Sequence, residues 1–306
     1  VVGSEEVLEL GDLANRHPPE LLRFDRWGRQ IDEVRFHPAY HRLMALAMEH
    51  RIHDLAWVEE GEPGRHLAHL GLLALFTQAE AGVMCPIDMS YAAVATLRHA
   101  GAPGRPWLEK LIGGGYDAPL RPIAEKAGVT IGMAMTEKQG GSDVRANATT
   151  AAPLGSGQYR LTGHKWFCSA PMSDAFLTLA YAPGGLSCFL APRIDGDGER
   201  NAIHVMRLKD KLGNKSNASS EIEYHGATAT LLGEEGRGVQ TIIEMVHHTR
   251  LGTVGGTLGI MGRALAEALH HTRHRIAFQK RLAEQPMMRA VLADLCIEYE
   301  AAVALS

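Results

Sequence analysis

A few short stretches carry residue types that could hold or transform a ligand. MTEKQGGSDV, from Met135 to Val144, follows an apolar run and puts two adjacent glycines beside Thr136 and Ser142. Gly140 and Gly141 permit positive φ and close approach of backbone to a ligand. Consecutive main-chain N–H groups in such a turn can cradle an anion, and the two hydroxyls donate or accept. The same residues make an ordinary strand-ending turn, so the stretch by itself reads either way. GHKWFCSAPMSDA places Trp166 and Phe167 side by side in an expected strand. They should then point to opposite faces, one into a core and one beside a planar ring, with Ser169 on the face of Phe167. Two aromatics in a β-core are the alternative. KDKLGNKSNASSEIEY reads as a solvated basic loop or as a contact with an anionic ligand. MVHHTRLG sets Arg250 at the start of a glycine-rich helix, and RHRIAFQKRL sets Arg275 and Phe278 three apart on an expected helical face. Plain surface placement is the alternative for both arginines.

Metal chemistry is not expected. His270 and His274, and His37 and His41, are four apart, a spacing at which two histidines can ligate a metal. No third ligand stands nearby in sequence, so solvated or capping roles are expected. The four cysteines, Cys85, Cys168, Cys188 and Cys296, lack C-x-x-C spacing and suggest neither zinc nor a disulfide framework. Reduced thiols in a cytoplasmic protein are expected. Lys plus Arg number 31 against 35 Asp plus Glu, a net of −4, so no basic excess advertises nucleic acid. No secretory pattern or bilayer-length apolar run is read.

Three kinds of segment must position these stretches. Residues 1–128 read as helices and loops, with apolar residues at three-to-four spacing in FHPAYHRLMALAMEHRIHDLAW. Residues 129–232 read as short strands, such as VTIGMAM, QYRLTG, FLTLAYA and LSCFLA, in an antiparallel sheet or barrel. No βαβ alternation appears, which argues against a Rossmann domain. Residues 233–306 return to helical period. Gly252, Gly255, Gly256, Gly259 and Gly262 lie in the first long helix. Each should cost about 1 kcal/mol against Ala there, so they either admit a close neighbour or break the helix. A second helix is expected to start at Pro286. The chain opens on VVGSEE and stops in the helical pattern EAAVALS, which suggests a segment of a longer protein.

The ordered set T-E-x-x-G-G-S-D, G-x-K-W-F-x-S, K-x-G-N-x-S, G-E-E-G-x-G, T-R and R-x-x-F resembles the acyl-CoA dehydrogenase family over most of the chain, from about residue 60 on. The wording of the first three motifs, with LANRHPPELLRFD and DEVRFHPAYH near the start, most resembles its AidB branch, named for the adaptive response to DNA alkylation. The resemblance implies an α+β fold: an N-terminal helical domain, a middle antiparallel β-domain and a C-terminal helical bundle of which only the start is present. It implies FAD as cofactor and a homo-oligomer, a tetramer being favoured. Met135 and Thr136 are then expected at the pyrimidine edge of the flavin, and Gly141 and Ser142 at its pyrophosphate. Phe167, Cys168 and Ser169 are expected against the ring. Ser142 and Arg250 are expected beside the substrate, an acyl-CoA or an alkylating small molecule. Arg275 and Phe278 are expected at the FAD of a neighbouring subunit.

The departures from the family pattern bear on mechanism. Gln279 stands where Gly usually follows the Phe, and Pro286 stands where a Gln is usual, with Gln285 one place earlier. In most members the catalytic Glu lies in a later segment. In the isovaleryl branch it precedes the helix Arg, where this chain has Thr249. No catalytic base is therefore named, Glu244 on the same helix being one alternative. The AidB branch also implies double-stranded DNA as a partner, through a C-terminal region outside this chain. The expectation is a flavoprotein of the alkylation response that oxidises an acyl-CoA or inactivates alkylating agents near DNA. The alternatives are a metabolic acyl-CoA dehydrogenase on short or branched chains, and a non-enzymatic binding protein that retains FAD.

Overall fold

The computed structural model describes residues 1–306. The N-terminal part contains α1 (Glu5–Arg16), β1 (Glu20–Phe24), β2 (Gln30–Arg35), α2 (Pro38–Glu49), α3 (Leu55–Val58), α4 (Arg65–Thr77), α5 (Met84–His99) and α6 (Arg105–Leu111). The middle part contains β3 (Ile131–Ala134), β4 (Thr150–Gly155), β5 (Gln158–Ser169), β6 (Ala175–Ala182), β7 (Gly185–Pro192), β8 (Ile203–Leu208) and β9 (Ser219–Leu232). The last part contains α7 (Gly238–His274), β10 (Ile276–Ala277), β11 (Lys280–Arg281) and α8 (Pro286–Leu305). No helix is long and apolar enough to cross a membrane.

The β-domain closes on itself through the pairings β6–β4–β5–β9–β7–β6, with β3 beside β6 and β8 beside β9. It is not wholly antiparallel as expected: β3 and β4 both run parallel to β6. Tyr159, Leu161, Cys168, Phe176 and Phe189 fill its interior. The N-terminal part is not wholly helical either. β1 and β2 form an antiparallel hairpin that lies on β8, and the Arg193 guanidinium donates to the Asp32 carbonyl beneath it.

The register of β5 decides where its aromatics go. A bulge falls between Lys165 and Cys168, so these two residues turn inward and are fully buried. A bulge breaks strict alternation, which corrects the expectation of one core aromatic. Trp166 lies outside under the Lys209 ammonium, 3.6 Å from its ring centre, and Phe167 is 45% exposed.

α7 is one unbroken helix of 37 residues, about 55 Å long. Its glycines admit neighbours rather than break it. A Cβ at Gly252 would fall within the Asp88 carboxylate on α5. A Cβ at Gly255 would meet the Leu70 carbonyl oxygen on α4 at 3.1 Å, and one at Gly259 would press on the Ala74 carbonyl. α7 ends at His274, immediately before the expected site pair. Arg275 has left the helix with ψ 124°, and residues 276–281 form a two-stranded hairpin with Phe278 and Gln279 at its tip. Both tip residues have positive φ, 53° and 63°, the signature of a tight hairpin turn. Arg275 and Phe278 therefore do not share a helical face. Pro286 does open α8, as expected.

Candidate functional site

The three layers meet at a cavity of about 510 Å³, a size typical of ligand pockets. The β-domain contributes Met133 from β3, Met135 and Thr136 just beyond its end, and Phe167 and Ser169 from β5. α4 contributes Leu73 and Thr77, and α5 contributes Met84, Cys85, Asp88 and Met89. The opposite wall is α7, through Thr249, Gly252, Thr253, Gly256, Thr257 and Ile260.

The turn after β3 is anchored from below. Glu137 is buried, and its Oε1 accepts from the Lys165 ammonium at 2.8 Å and from the Thr149 hydroxyl at 2.6 Å, while Oε2 accepts from the Ala148 amide at 2.6 Å. Burial pushes this carboxyl up. The Ala148 amide, Lys165 and Thr149 outweigh that and hold it below its ordinary value. The Lys165 ammonium also donates to the Leu179 carbonyl at 2.8 Å. The Trp166 amide donates to the Thr136 carbonyl at 2.8 Å, so the turn and β5 are laced together where Thr136 and Phe167 reach the cavity. Gly141 is needed for the turn to close, because a Cβ there would lie 2.6 Å from the Thr136 hydroxyl.

Of the residues singled out from sequence, Met135, Thr136, Phe167 and Ser169 come together on one wall. Gly141 and Ser142 are exposed on the same turn, outside the cavity lining. The Cys168 side chain is buried in the β-domain interior, so only its backbone is available on the cavity side. All four cysteines are unpaired. Arg250 is exposed on α7 beside the cavity wall, and Glu244 is exposed and outside it. Arg275 and Phe278 are exposed on the hairpin, Phe278 to 92%. The basic loop is not solvated throughout. Ser216 is buried and its hydroxyl donates to Glu80 at 2.6 Å, while Asn214 reaches the cavity. His37 caps α2, its Nδ1 accepting from the Ala39 amide.

The sequence reading missed the helical walls. Thr249, Thr253 and Thr257 recur every four residues and line one face of α7. Their i, i+4 spacing among glycines was a signal. Asp88, the one charged residue in MCPIDMSYAAVATL, was another. Tyr91 stacks on His69 behind it at 3.7 Å, and its hydroxyl meets His66 at 2.7 Å and His248 at 3.2 Å.

Comparison with known proteins places this geometry. Residues 1–118 match the adaptive response protein AidB N-terminal domain, residues 132–227 the acyl-CoA dehydrogenase middle domain and residues 236–306 the acyl-CoA dehydrogenase C-terminal domain. The chain is 49% identical to AidB of Escherichia coli strain K12, over 99% of this chain and 56% of that protein. It is 32% identical to acyl-CoA dehydrogenase family member 11 of Caenorhabditis elegans, over 96% of this chain and 49% of that one. The chain thus spans about half the length of these relatives. The crystal structure of Caenorhabditis elegans ACDH-11 in complex with C11-CoA superposes with a TM-score of 0.88 at 31% identity, covering 97% of this chain and 51% of that one. Butyryl-CoA dehydrogenase from Megasphaera elsdenii shares the fold, with a TM-score of 0.73 at 20% identity over 98% of this chain and 76% of that one.

Proposed function

Because the chain belongs to the acyl-CoA dehydrogenase family and carries the AidB N-terminal domain, we propose that it is the flavin-holding part of an oxidoreductase that takes an acyl thioester. Acyl-CoA dehydrogenases are FAD-dependent. The observation that carries the reading is the cavity in which Met135, Thr136, Phe167 and Ser169 face Thr249 and Gly252 across the domain seam.

The residues present fit FAD. Phe167 is an aromatic left open on the wall rather than packed away, and Ser169 sets a hydroxyl two positions along the same strand. Phe167 would lie against the flat ring, with the Ser169 hydroxyl directed to its edge. Met135 and Thr136 would hold the pyrimidine side, with the Cys168 backbone alongside. The exposed backbone at Gly141 and Ser142 would meet the pyrophosphate, and Ser142 and Arg250 would flank the thioester. Arg275 and Phe278, exposed on the hairpin after α7, would meet the FAD of a second subunit in a homo-oligomer, a tetramer in our reading. Bound FAD would act as the two-electron acceptor. The protein's part is to orient the ligand and exclude water through Leu73, Met84, Met89 and Met133.

The finer reading is a role in the adaptive response to DNA alkylation, in which the whole protein meets double-stranded DNA outside residues 1–306 and disposes of alkylating molecules. It rests on the 49% identity to AidB. The net charge of −4 gives residues 1–306 no overall basic excess for DNA.

The test is spectroscopic. The purified protein should show bound oxidised flavin absorbing at about 450 nm, and anaerobic addition of an acyl-CoA should perturb or bleach that band. Protein that retains no flavin after reconstitution would remove the reading.

A further inference from the structure

On the α7 wall of the cavity the polar side chains are already engaged. The hydroxyls of Thr249, Thr253 and Thr257 donate to the carbonyls of Met245, Thr249 and Thr253 at 2.8, 2.9 and 2.8 Å. The facing wall differs. Asp88 is 7% exposed, lines the cavity, and its Oδ1 has no hydrogen-bond partner. The Thr77 hydroxyl, one helix away on the same wall, has none either.

The group behind Asp88 does not relieve it. His69 is fully buried, with Nδ1 2.8 Å from the Ile52 carbonyl. A carbonyl only accepts, so Nδ1 must carry a proton. Nε2 has no partner and lies 3.9 Å from Asp88 Oδ1, beyond hydrogen-bond reach. Asp88 thus gains no hydrogen bond from His69. Burial also raises the Asp88 carboxyl above its ordinary range, with His69 pulling the other way. A buried polar group without a partner is destabilising, so a ligand group that supplies one is favoured. The close approach of α7 at Gly252 and His69 close off Oδ1, which leaves Oδ2, also without a hydrogen bond, as the carboxylate oxygen not fully enclosed.

We propose that Asp88, with Thr77 beside it, is a recognition point for a hydroxyl on the acyl group of the ligand, so that the preferred thioester is a hydroxyacyl rather than a plain alkyl one. The inference rests on the acyl-thioester reading above and narrows it. A hydroxyl suits the site better than an amine or a carbonyl, because it donates to a charged carboxylate and accepts from a protonated one. Leu73, Met84 and Met89 would pack the alkyl remainder.

The experiment is isothermal titration calorimetry on the flavin-loaded protein, with butyryl-CoA and with 2-, 3- and 4-hydroxybutyryl-CoA. At least one hydroxylated thioester should bind about tenfold more tightly than butyryl-CoA, the worth of one hydrogen bond to a charged group. Asp88→Leu should bring the ratio of the two affinities to within about twofold. Asp88→Asn keeps the shape of the side chain and an amide that can pair with a hydroxyl, so it should retain part of the preference. Equal affinity for all four thioesters in the unaltered protein would overturn this inference alone, as would a full preference surviving in Asp88→Leu. Binding of none of the four would overturn it together with the acyl-thioester reading.

Discussion

Glu137 and Lys165 form an ion pair at 2.8 Å with side chains 1% and 0% exposed. They belong to the two stretches whose neighbours, Thr136 and Phe167, reach the cavity. The pair therefore fixes the turn to the strand from inside the β-domain, and neither residue touches the cavity itself. Removing one partner leaves the other charged and buried, which costs about 3–5 kcal/mol. Glu137→Gln and Lys165→Met should each lower unfolding stability by about that much, and the double variant should lose much less than their sum. Chemical denaturation of the three variants measures the coupling, and strictly additive losses would contradict it.

Acid should weaken the same anchor. The Glu137 carboxyl is held below its ordinary value of 4.5 in the folded chain. Its contribution is thus fully present above about 4.5 and is lost as pH falls through the lower folded value, because the unfolded chain takes up the proton first. The melting temperature should fall across that window. In Glu137→Gln the slope should be shallower, and an unchanged slope would assign the acid sensitivity to other carboxylates.

Two glycines one turn apart on α7 should respond oppositely to alanine. Gly252→Ala drives a methyl into the Asp88 carboxylate and should destabilise by about 1–3 kcal/mol. At Gly256 the nearest atom to a new Cβ is the Thr77 hydroxyl at 3.9 Å, so Gly256→Ala should stabilise by up to about 1 kcal/mol through helix propensity. It should also narrow the cavity it lines. Thermal unfolding of both variants decides, and destabilisation at Gly256 would show a tighter seam than described.

The hairpin after α7 separates stability from assembly. Gln279 sits at φ 63°, a conformation costing a side-chain-bearing residue about 1–2 kcal/mol that glycine avoids. Gln279→Gly should therefore stabilise slightly, by less than about 1 kcal/mol after the entropy of the added freedom. Phe278 is 92% exposed, so Phe278→Ser should leave stability within about 0.5 kcal/mol. FAD retention in the assembled protein, followed by ultrafiltration, should nevertheless drop. Unchanged retention would remove Phe278 from the cofactor site.

The order helices, barrel, helices was legible because the hydrophobic period changes sharply near residues 129 and 233. The misses have physical causes. β1 and β2 are half exposed and rich in Arg and Glu, so they carry little strand signal. β4, TAAPLG, is built of small residues and a proline. The bulge in β5 and the parallel pairing of β3 and β4 with β6 depend on partners far away in sequence. At the site, the turn and the β5 wall were singled out only through the order of motifs that resembles the family, because each stretch alone also fits an ordinary turn or a core strand. Thr77 was not, because a helix lining a cavity repeats apolar residues just as a helix lining a core does.

The glycine row of α7 has a consequence for how such a cavity can diverge. Gly252 both seals the layers together and bounds the ligand space. Bulk added there to reshape the chamber also acts as a wedge between the layers. Chamber width and interlayer adhesion are therefore a single coupled trait at this position, and independent tuning of specificity is left to Gly256, α4, α5 and the barrel rim.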